Sequence, residues 1–276
     1  MKKYLCFLFL LLCSITYAAT PTTEGKEFWV TFMNNFNIPA SNDTLQMKLI
    51  VSARENATVT MRNPQTGWQQ SLQVVANRVA EYVLPKSEVY TYNTGRAEKR
   101  GMVVTSTAPI SLYAANFMEH SYDATLVLPI TALGVDYIVQ TYEADMSSKE
   151  MAVVATEDNT QVRITPHART TSGHVKGVAF TVTLQRGEVY QLMSNDGGND
   201  FSGTRVQSDK AVAVFAGHQC INVPTGNPWG DHIVEQQLPT QMWGKRFVAT
   251  KVVGHAGDRV MVTAQKDNTK VYVDGT

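Results

Sequence analysis

Cysteine is scarce in this chain, with 3 in 276 residues. Cys6 and Cys13 lie near the amino terminus, so a chain processed after Ala18 keeps Cys220 as its one thiol. A small scaffold held by disulfides is therefore excluded, because such a scaffold needs several paired cysteines. The roughly 258 residues that follow Ala18 are enough to bury a large hydrophobic core without cross-links.

An excess of charge of either sign is also lacking. The chain has 24 basic and 24 acidic residues, and removal of Lys2 and Lys3 leaves 22 against 24, a net charge of −2. Binding to nucleic acid or to anionic lipid surfaces depends on clustered positive charge. The composition therefore predicts no nucleic-acid partner.

No hydrophobic run in the sequence is long enough to span a bilayer, and this includes the run at the amino terminus, residues 4–13. Two lysines precede it, and the small residues Thr16 and Ala18 follow it. This order is typical of a secretory signal peptide, here residues 1–18, cleaved near Ala18. Its lysine-led form predicts a bacterial protein that is secreted or displayed at the cell surface, with no transmembrane segment.

Helical periodicity is missing as well, because apolar residues recur at every second position instead. Short segments such as "MKLIVSA", "MAVVAT" and "AVAVFA" are rich in β-branched and aromatic residues, and Asn, Asp, Gly, Pro and Ser bound them. No stretch of ten or more residues has a helical apolar face. The sequence therefore predicts an all-β fold of antiparallel hairpins.

The strand pattern repeats along the chain. Three segments share an initial glycine and an aromatic-containing apolar run: "GKEFWVTF" (25–32), "GVDYIVQTY" (134–142) and "GKRFVATKV" (244–252). The repeat predicts three parts after the signal peptide: a first β-repeat unit over 19–133, a second over 134–243, and the start of a third, truncated unit over 244–276. On this interpretation, further domains follow Thr276.

A shorter period lies inside each unit of about 105 residues. Predicted turns recur about every 50 residues, at Asn56, Ala108, Asp158, Asp209 and Asp267. A period near 50 with about four short strands is the size of a β-propeller blade. The whole unit also fits one eight-stranded sandwich. The half-period favours propeller-like blades over tandem β-sandwiches, and the sandwich stays open as the alternative.

One segment concentrates side chains that bind metals or activate nucleophiles. "GHQCINVPTGNPWGDHIVEQQLP" (217–239) contains His218, Cys220, Asp231, His232 and Glu235. In the first unit, residues 110–129 occupy the same place, with Asp123 near the position of Asp231. They offer no counterpart of the cysteine, the second histidine or the glutamate. Asp231 therefore belongs to the repeat, where we expect it to cap a turn before a strand.

The spacing of these residues favours neither a metal site nor an activated cysteine nucleophile. Adjacent Asp231 and His232 point to opposite faces of an extended strand, so they do not converge easily on one metal ion. His218 and Cys220 share a strand face, but their side chains lie about 7 Å apart, beyond hydrogen-bonding reach. The spacing predicts a structural loop with no catalytic residue, no metal and no cofactor.

Two tryptophans are candidates for surface contacts. Trp68 in "NPQTGWQQ" and Trp229 in "TGNPWGD" both lie among turn residues. Aromatic side chains on loops are suited to contacts with a protein or a glycan. We therefore expect both to be exposed, with Trp229 next to the motif of the second unit.

Three stretches carry a resemblance to a known family. "GKEFWVTFMNNF", "SDKAVAVFAGHQCINVP" and "DHIVEQQLPTQMWGKRFVAT" resemble the N-terminal domain of the IgGFc-binding protein family, over roughly residues 25–276. Six residues match the positions of that family's motif: His218, Cys220, Asp231, His232, Glu235 and Gln236. The resemblance implies a secreted or cell-surface protein.

The chain departs from the family pattern at one position. That pattern has a second cysteine just before the Asp-His pair, where this sequence has Gly230. The resemblance therefore implies that a disulfide closing the loop from Cys220 is missing here. The loop must keep its shape by packing.

Together these features predict a secreted or cell-surface binding and adhesion module without catalysis. Its predicted partner is a host or mucosal glycoprotein, a glycan or a neighbouring domain, contacted through loops. The alternative is a hydrolase or lyase that uses residues 218–235, with Cys220, His218, His232 and Glu235 as its reactive groups. A purely structural spacer is the third hypothesis, and it requires no exposed aromatic patch.

Overall fold

The computed structural model describes residues 22–36, 42–143, 149–194, 200–223, 226, 228–251, 253–254 and 258–275. These residues form antiparallel strands, one four-residue helix (α1, Lys86–Val89) and two short 3-10 turns (Ile130–Ala132 and Thr240–Met242). The all-β prediction is confirmed. No helix of the described chain has the length and hydrophobicity needed to cross a membrane. The predicted signal peptide, residues 1–18, lies outside the described residues.

The strands form two sheets, one from each predicted unit. The first contains β1 (Gly25–Val30), β2 (Gln46–Ala53), β3 (Ala57–Arg62), β4 (Gln69–Val74), β5 (Val79–Leu84), β7 (Met102–Met118) and β8 (Ser121–Val127). The second contains β6 (Ala97–Glu98), β9 (Gly134–Ile138), β10 (Lys149–Ala155), β11 (Thr160–Thr165), β12 (Phe180–Leu184), β13 (Val189–Ser194), β14 (Arg205–Ile221) and β15 (Asp231–Gln236). The short strand β6 comes from the first unit and pairs with β13 of the second.

Each sheet is organised around one strand of 17 residues, β7 or β14. The first part of β7 lies between β1 and β3, and its last part lies between β2 and β8. In the second sheet, β14 is flanked first by β9 and β11, then by β10 and β15. Because one long strand serves two sets of partners, each sheet folds back on itself into a nearly closed, barrel-like form.

The turns predicted at Ala108 and Asp209 are wrong, since both residues lie inside the long strands. The polar residues and proline near these two positions in the sequence coincide with irregular strand pairing instead of a turn. The register of β1 against β7 shifts between Thr105 and Ile110, and the register of β9 against β14 shifts between Gln207 and Val212. A bulge of this kind bends a strand without ending it.

The propeller-like blades favoured by the half-period are therefore not seen in the described residues. A blade would need the two halves of a unit to form separate sheets. Instead, β7 from the second half of its unit lies between β2 and β3 from the first half. The strands of each predicted unit lie mainly in one folded sheet. This agrees better with the alternative prediction, in which each unit is a single β-structure, than with propeller blades.

The two units share a hydrophobic core. Met151 and Val153 of β10 face the interior of the second sheet, while Ala152 and Val154 join the core of the first unit. Phe215 of β14 also packs into this shared core. Both faces of β10 are thus buried, which explains why its sequence "MAVVA" is apolar at every position instead of alternating.

The sequence predicts the start of a third unit over residues 244–276. The part of this segment that the structure describes contains no helix or strand, and it exposes apolar side chains such as Phe247, Val248 and Tyr272. In the other two units, the corresponding strands all pair with the long strand. No third long strand lies in the described chain, so this segment has no equivalent partner there.

Candidate functional site

The motif residues occupy the end of β14 and the whole of β15, which pair antiparallel. His218, Cys220, His232 and Gln236 are buried, whereas Asp231 and Glu235 are exposed. The strand alternation separates Asp231 from His232, because successive side chains point to opposite faces. The structure therefore divides the motif into a buried set and an exposed set.

His218 is enclosed between β10 and β15, where it lies opposite Lys149 and Ile233. Its ring Nε2 contacts the carbonyl oxygen of Tyr142. Burial lowers the pKa of His218 to about 4, and the nearby charge of Lys149 acts in the same direction. The ring is consequently neutral at physiological pH, and Nε2 donates to the Tyr142 carbonyl.

His232 is the second buried imidazole. The backbone of His218 and Gln219 lies beside its ring, but neither ring nitrogen makes a hydrogen bond of ordinary geometry to a described residue. Burial lowers the pKa of His232 to about 4, and proximity to His218 contributes. The described residues contain no group of three His, Cys, Asp or Glu side chains arranged to hold a metal ion.

Cys220 is buried near the end of β14. Burial raises the pKa of its thiol, and the carboxylate of Asp231 raises it further. The thiolate, which is the nucleophilic form, is therefore disfavoured. Gly230 lies directly against the sulfur, since a Cβ atom placed on it would be 2.8 Å from Cys220 Sγ.

Asp231 has a structural role that its sequence context did not predict. Its Oδ1 accepts hydrogen bonds from the amides of Tyr122 at 2.7 Å and His232 at 2.9 Å. Asp123, its counterpart in the first unit, makes the reciprocal contact. Asp123 Oδ2 accepts a hydrogen bond from the amide of Val234, in the second unit, at 2.8 Å. Each aspartate thus binds the backbone of the other unit instead of only capping a local turn.

Two further side chains extend this contact. Thr125 Oγ1 accepts a hydrogen bond from the Gln236 amide at 2.9 Å, and Gln236 Oε1 accepts one from the Leu128 amide at 2.7 Å. We call Asp123, Thr125, Asp231 and Gln236 the inter-unit clasp. The clasp joins β8 to β15, which are edge strands of their sheets, so it satisfies backbone donors that a sheet edge leaves unpaired.

Glu235 lies next to the clasp on the exposed side of β15. Partial burial against β8 raises the pKa of its carboxyl, a bond to Thr125 lowers it, and the charge of Asp123 raises it. It has no described contact with Cys220 or the two histidines. The structure therefore does not bring the four reactive groups of the enzyme hypothesis together.

Glu150 is a buried carboxyl that the sequence reasoning missed. It lies on β10 at the face shared by the two units, beside the backbone of Asn34, and neither carboxylate oxygen makes a hydrogen bond of ordinary geometry to a described residue. Burial raises its pKa well above the ordinary value, which favours the neutral form. The sequence feature that indicates this buried carboxyl is the charged pair "KE", directly before the apolar run of β10.

The two loop tryptophans differ in their environments. Trp229 is 81% exposed, immediately before Gly230. Trp68 is half-buried and packs against the core of the first unit. Of these two side chains, Trp229 offers by far the larger surface to a partner.

A pH dependence of stability follows from the buried histidines. The pKa of each falls from 6.5 to about 4 on folding, so the unfolded chain takes up protons first as the pH drops. Stability is therefore lost between pH 6.5 and 4, by about 2 kcal/mol per histidine at pH 5. His232→Gln is expected to remove about 2 kcal/mol of the difference between the unfolding free energies at pH 7.5 and 5.0 in urea titrations.

Glu150 provides the internal control for that experiment, because its raised pKa acts with the opposite sign. The folded state holds its proton above the ordinary carboxyl pKa, so stability from this group is lost as the pH rises. Glu150→Gln should therefore steepen the loss of stability on acidification, whereas His232→Gln flattens it. Equal pH profiles for His232→Gln and the unaltered chain would contradict the buried, neutral state of His232.

Comparison with known proteins gives two matches. A model of the IgGFc binding protein family matches residues 123–276. The human IgGFc-binding protein is 28% identical over 260 residues, which cover 92% of this chain. The chain spans about 5% of the length of that relative. No solved structure matches the chain. The family match begins at Asp123 and so includes every residue of the inter-unit clasp.

Proposed function

The chain belongs to the IgGFc-binding protein family, and we propose that it is an extracellular binding module that contacts a glycoprotein through the surface around Trp229. Secretion is supported by the pattern of residues 1–18, and the glycoprotein class is supported by the family. The proposal includes a third β-unit that begins at residue 244.

The exposure of Trp229 is the observation that carries this proposal. Tryptophan is enriched among the residues that dominate binding energy, because it buries a large, rigid area on contact. Its neighbour Gly230 lies against Cys220, and Asp231 begins β15 and binds the first unit. The tryptophan is thus displayed directly beside a region that holds the two units together.

The identity of the first ligand to test comes from the relative. The human protein is named for binding the Fc part of immunoglobulin G. Immunoglobulin G, its Fc part and a mucin glycoprotein are accordingly the probes for this chain. A neighbouring domain or an isolated glycan is the other kind of partner that this surface would suit.

Trp229→Ala is expected to weaken binding to the recognised probe by at least about 10-fold, with the melting temperature unchanged. The side chain is mostly in solvent, so its loss removes contact area without opening a cavity. Surface plasmon resonance with each immobilised probe measures the effect. Phe247→Ala is the matched control, because this aromatic is 80% exposed and lies outside the motif. Retained binding in Trp229→Ala would overturn the assignment, whatever the result for Phe247→Ala.

Catalysis by the same segment is the weaker candidate. A hydrolase or lyase would need an accessible nucleophile, but Cys220 is buried and its pKa is raised. His218 and His232, the bases available to it, are also buried, with lowered pKa values. These features support packing roles. Binding that survives Cys220→Ala and Glu235→Gln would be expected of a module in which these residues do not contact the ligand.

A further inference from the structure

The core shared by the two units has a polar end, formed in the second sheet by Glu150 of β10 and Gln191 of β13. Strand alternation places Glu150 on the same face as Ala152, which packs into the shared core. Gln191 pairs with Ala152, so it is a diagonal neighbour of Glu150, within reach of a long side chain. Both residues are 0% exposed. We call the Glu150 carboxyl and the Gln191 amide the junction site.

Asn34 of the first unit contacts both groups of the junction site. Gln191 Nε2 donates a hydrogen bond to Asn34 Oδ1 at 2.8 Å, and the backbone of Asn34 lies beside the Glu150 carboxyl. Asn34 is itself buried, at 1% exposure. Because one residue lies against both groups, the carboxyl and the amide are held close together where the two units meet.

A backbone group fixes the orientation of the Gln191 amide. Nε2 also donates to the carbonyl oxygen of Asn93 at 3.4 Å, and a carbonyl can only accept, so the amide nitrogen and oxygen are not interchangeable. Gln191 Oε1 then receives no hydrogen bond of ordinary geometry from a described residue, and neither do Oε1 and Oε2 of Glu150. The junction site therefore gathers oxygen acceptors that the described protein groups leave unsatisfied.

The junction site carries the charge of a single carboxylate. Lys149, the neighbouring residue on β10, points to the opposite face of the strand. The Tyr90 hydroxyl, which lies near Glu150, stays neutral because burial raises its pKa, and Gln219 of β14 adds only an uncharged amide to this face. A buried carboxylate without a counter-charge is costly, and the raised pKa of Glu150 reflects that cost.

We propose that the junction site binds a monovalent alkali cation between the carboxylate of Glu150 and the amide oxygen of Gln191. Carboxylate and amide oxygens are the ligands that hard cations take in proteins. One positive charge balances the one carboxylate, whereas a divalent ion would leave an uncompensated charge buried. Because the ligands lie against Asn34 of the first unit, the bound ion stabilises the contact between the units.

Thermal unfolding at constant ionic strength tests the proposal. Replacing about 300 mM choline chloride by the same concentration of sodium or potassium chloride should raise the melting temperature by at least about 3 °C for one of the two ions. Choline is too large to enter a buried site. Glu150→Gln should abolish the difference between the salts. Glu157→Gln is the matched control and should keep it, since it removes the same charge from an exposed position of the second unit.

The linewidth of the sodium NMR signal measures binding directly. The unaltered chain should broaden the signal, and Gln191→Met, which keeps the carboxyl but removes one ligand oxygen, should reduce the broadening. Equal melting temperatures of the unaltered chain in all three salts overturn the proposal, as does a difference that persists in Glu150→Gln. A larger rise in calcium chloride of equal ionic strength overturns the monovalent assignment. These measurements need no ligand of Trp229, so they are independent of the function proposed above.

Discussion

Gly217→Ala is expected to destabilise the protein by more than about 4 kcal/mol, or to detach β15 from β14. Gly217 lies opposite Val234, and a Cβ atom placed on it would be 1.9 Å from the carbonyl oxygen of Ile233. The obstructing atom belongs to the backbone, so no side-chain rotation relieves the clash. If β15 moves away, the hydrogen bonds of Asp231 and Gln236 to the first unit are lost with it.

Chemical denaturation of the variant measures this effect, and Gly244→Ala is its control. A Cβ atom placed on Gly244 would have no neighbouring atom closer than 3.6 Å, and the residue has no positive φ, so alanine fits there. The control should change the unfolding free energy by less than about 0.5 kcal/mol. A Gly217→Ala protein within about 1 kcal/mol of the unaltered chain would show that the two strands are not so close.

Gly230→Cys is expected to form a disulfide with Cys220 and to stabilise the protein by nearly 3 kcal/mol, on the order predicted for a loop of this length. The Cβ of residue 230 would lie 2.8 Å from Cys220 Sγ, so a sulfur on it is within bonding reach. Gly230 has no positive φ, and a side chain there causes no backbone strain. The rise in melting temperature should be about 5 to 10 °C.

Thiol titration in denaturant and calorimetry with and without reductant follow this change. In a chain without residues 1–18, which contain Cys6 and Cys13, the oxidised variant should show no free thiol, and reductant should abolish its stabilisation. Gly230→Ser in the same background separates bonding from crowding, because a hydroxyl at that distance cannot form the bond. Two titratable thiols in the air-oxidised Gly230→Cys protein would contradict the placement of Gly230 against Cys220.

The sequence was sufficient for the secondary structure class. The alternation of apolar residues in β2 depends on which residues lie at every second position, and that is local information. The failure at Ala108 and Asp209 has a physical cause. Polar residues and proline are typical of turns and also of bulges, so composition alone does not distinguish a strand that reverses from one that bends.

The candidate site was only partly predictable. The sequence identified the exposed Trp229 and the opposite orientations of Asp231 and His232, which follow from position along one strand. It did not reveal the buried Glu150 or the half-buried environment of Trp68. Their burial depends on what packs against them, and those partners lie in distant parts of the chain.

By itself, the sequence determined an all-β chain with a concentrated polar motif, because strand alternation and the spacing of the motif residues are set by residue order. The tertiary structure alone decided what the motif does. Asp231 and Tyr122 are 109 residues apart, and Gln236 and Thr125 are 111 residues apart. Each side chain reaches a backbone amide of the other unit only after both sheets have formed and their apolar faces have packed together.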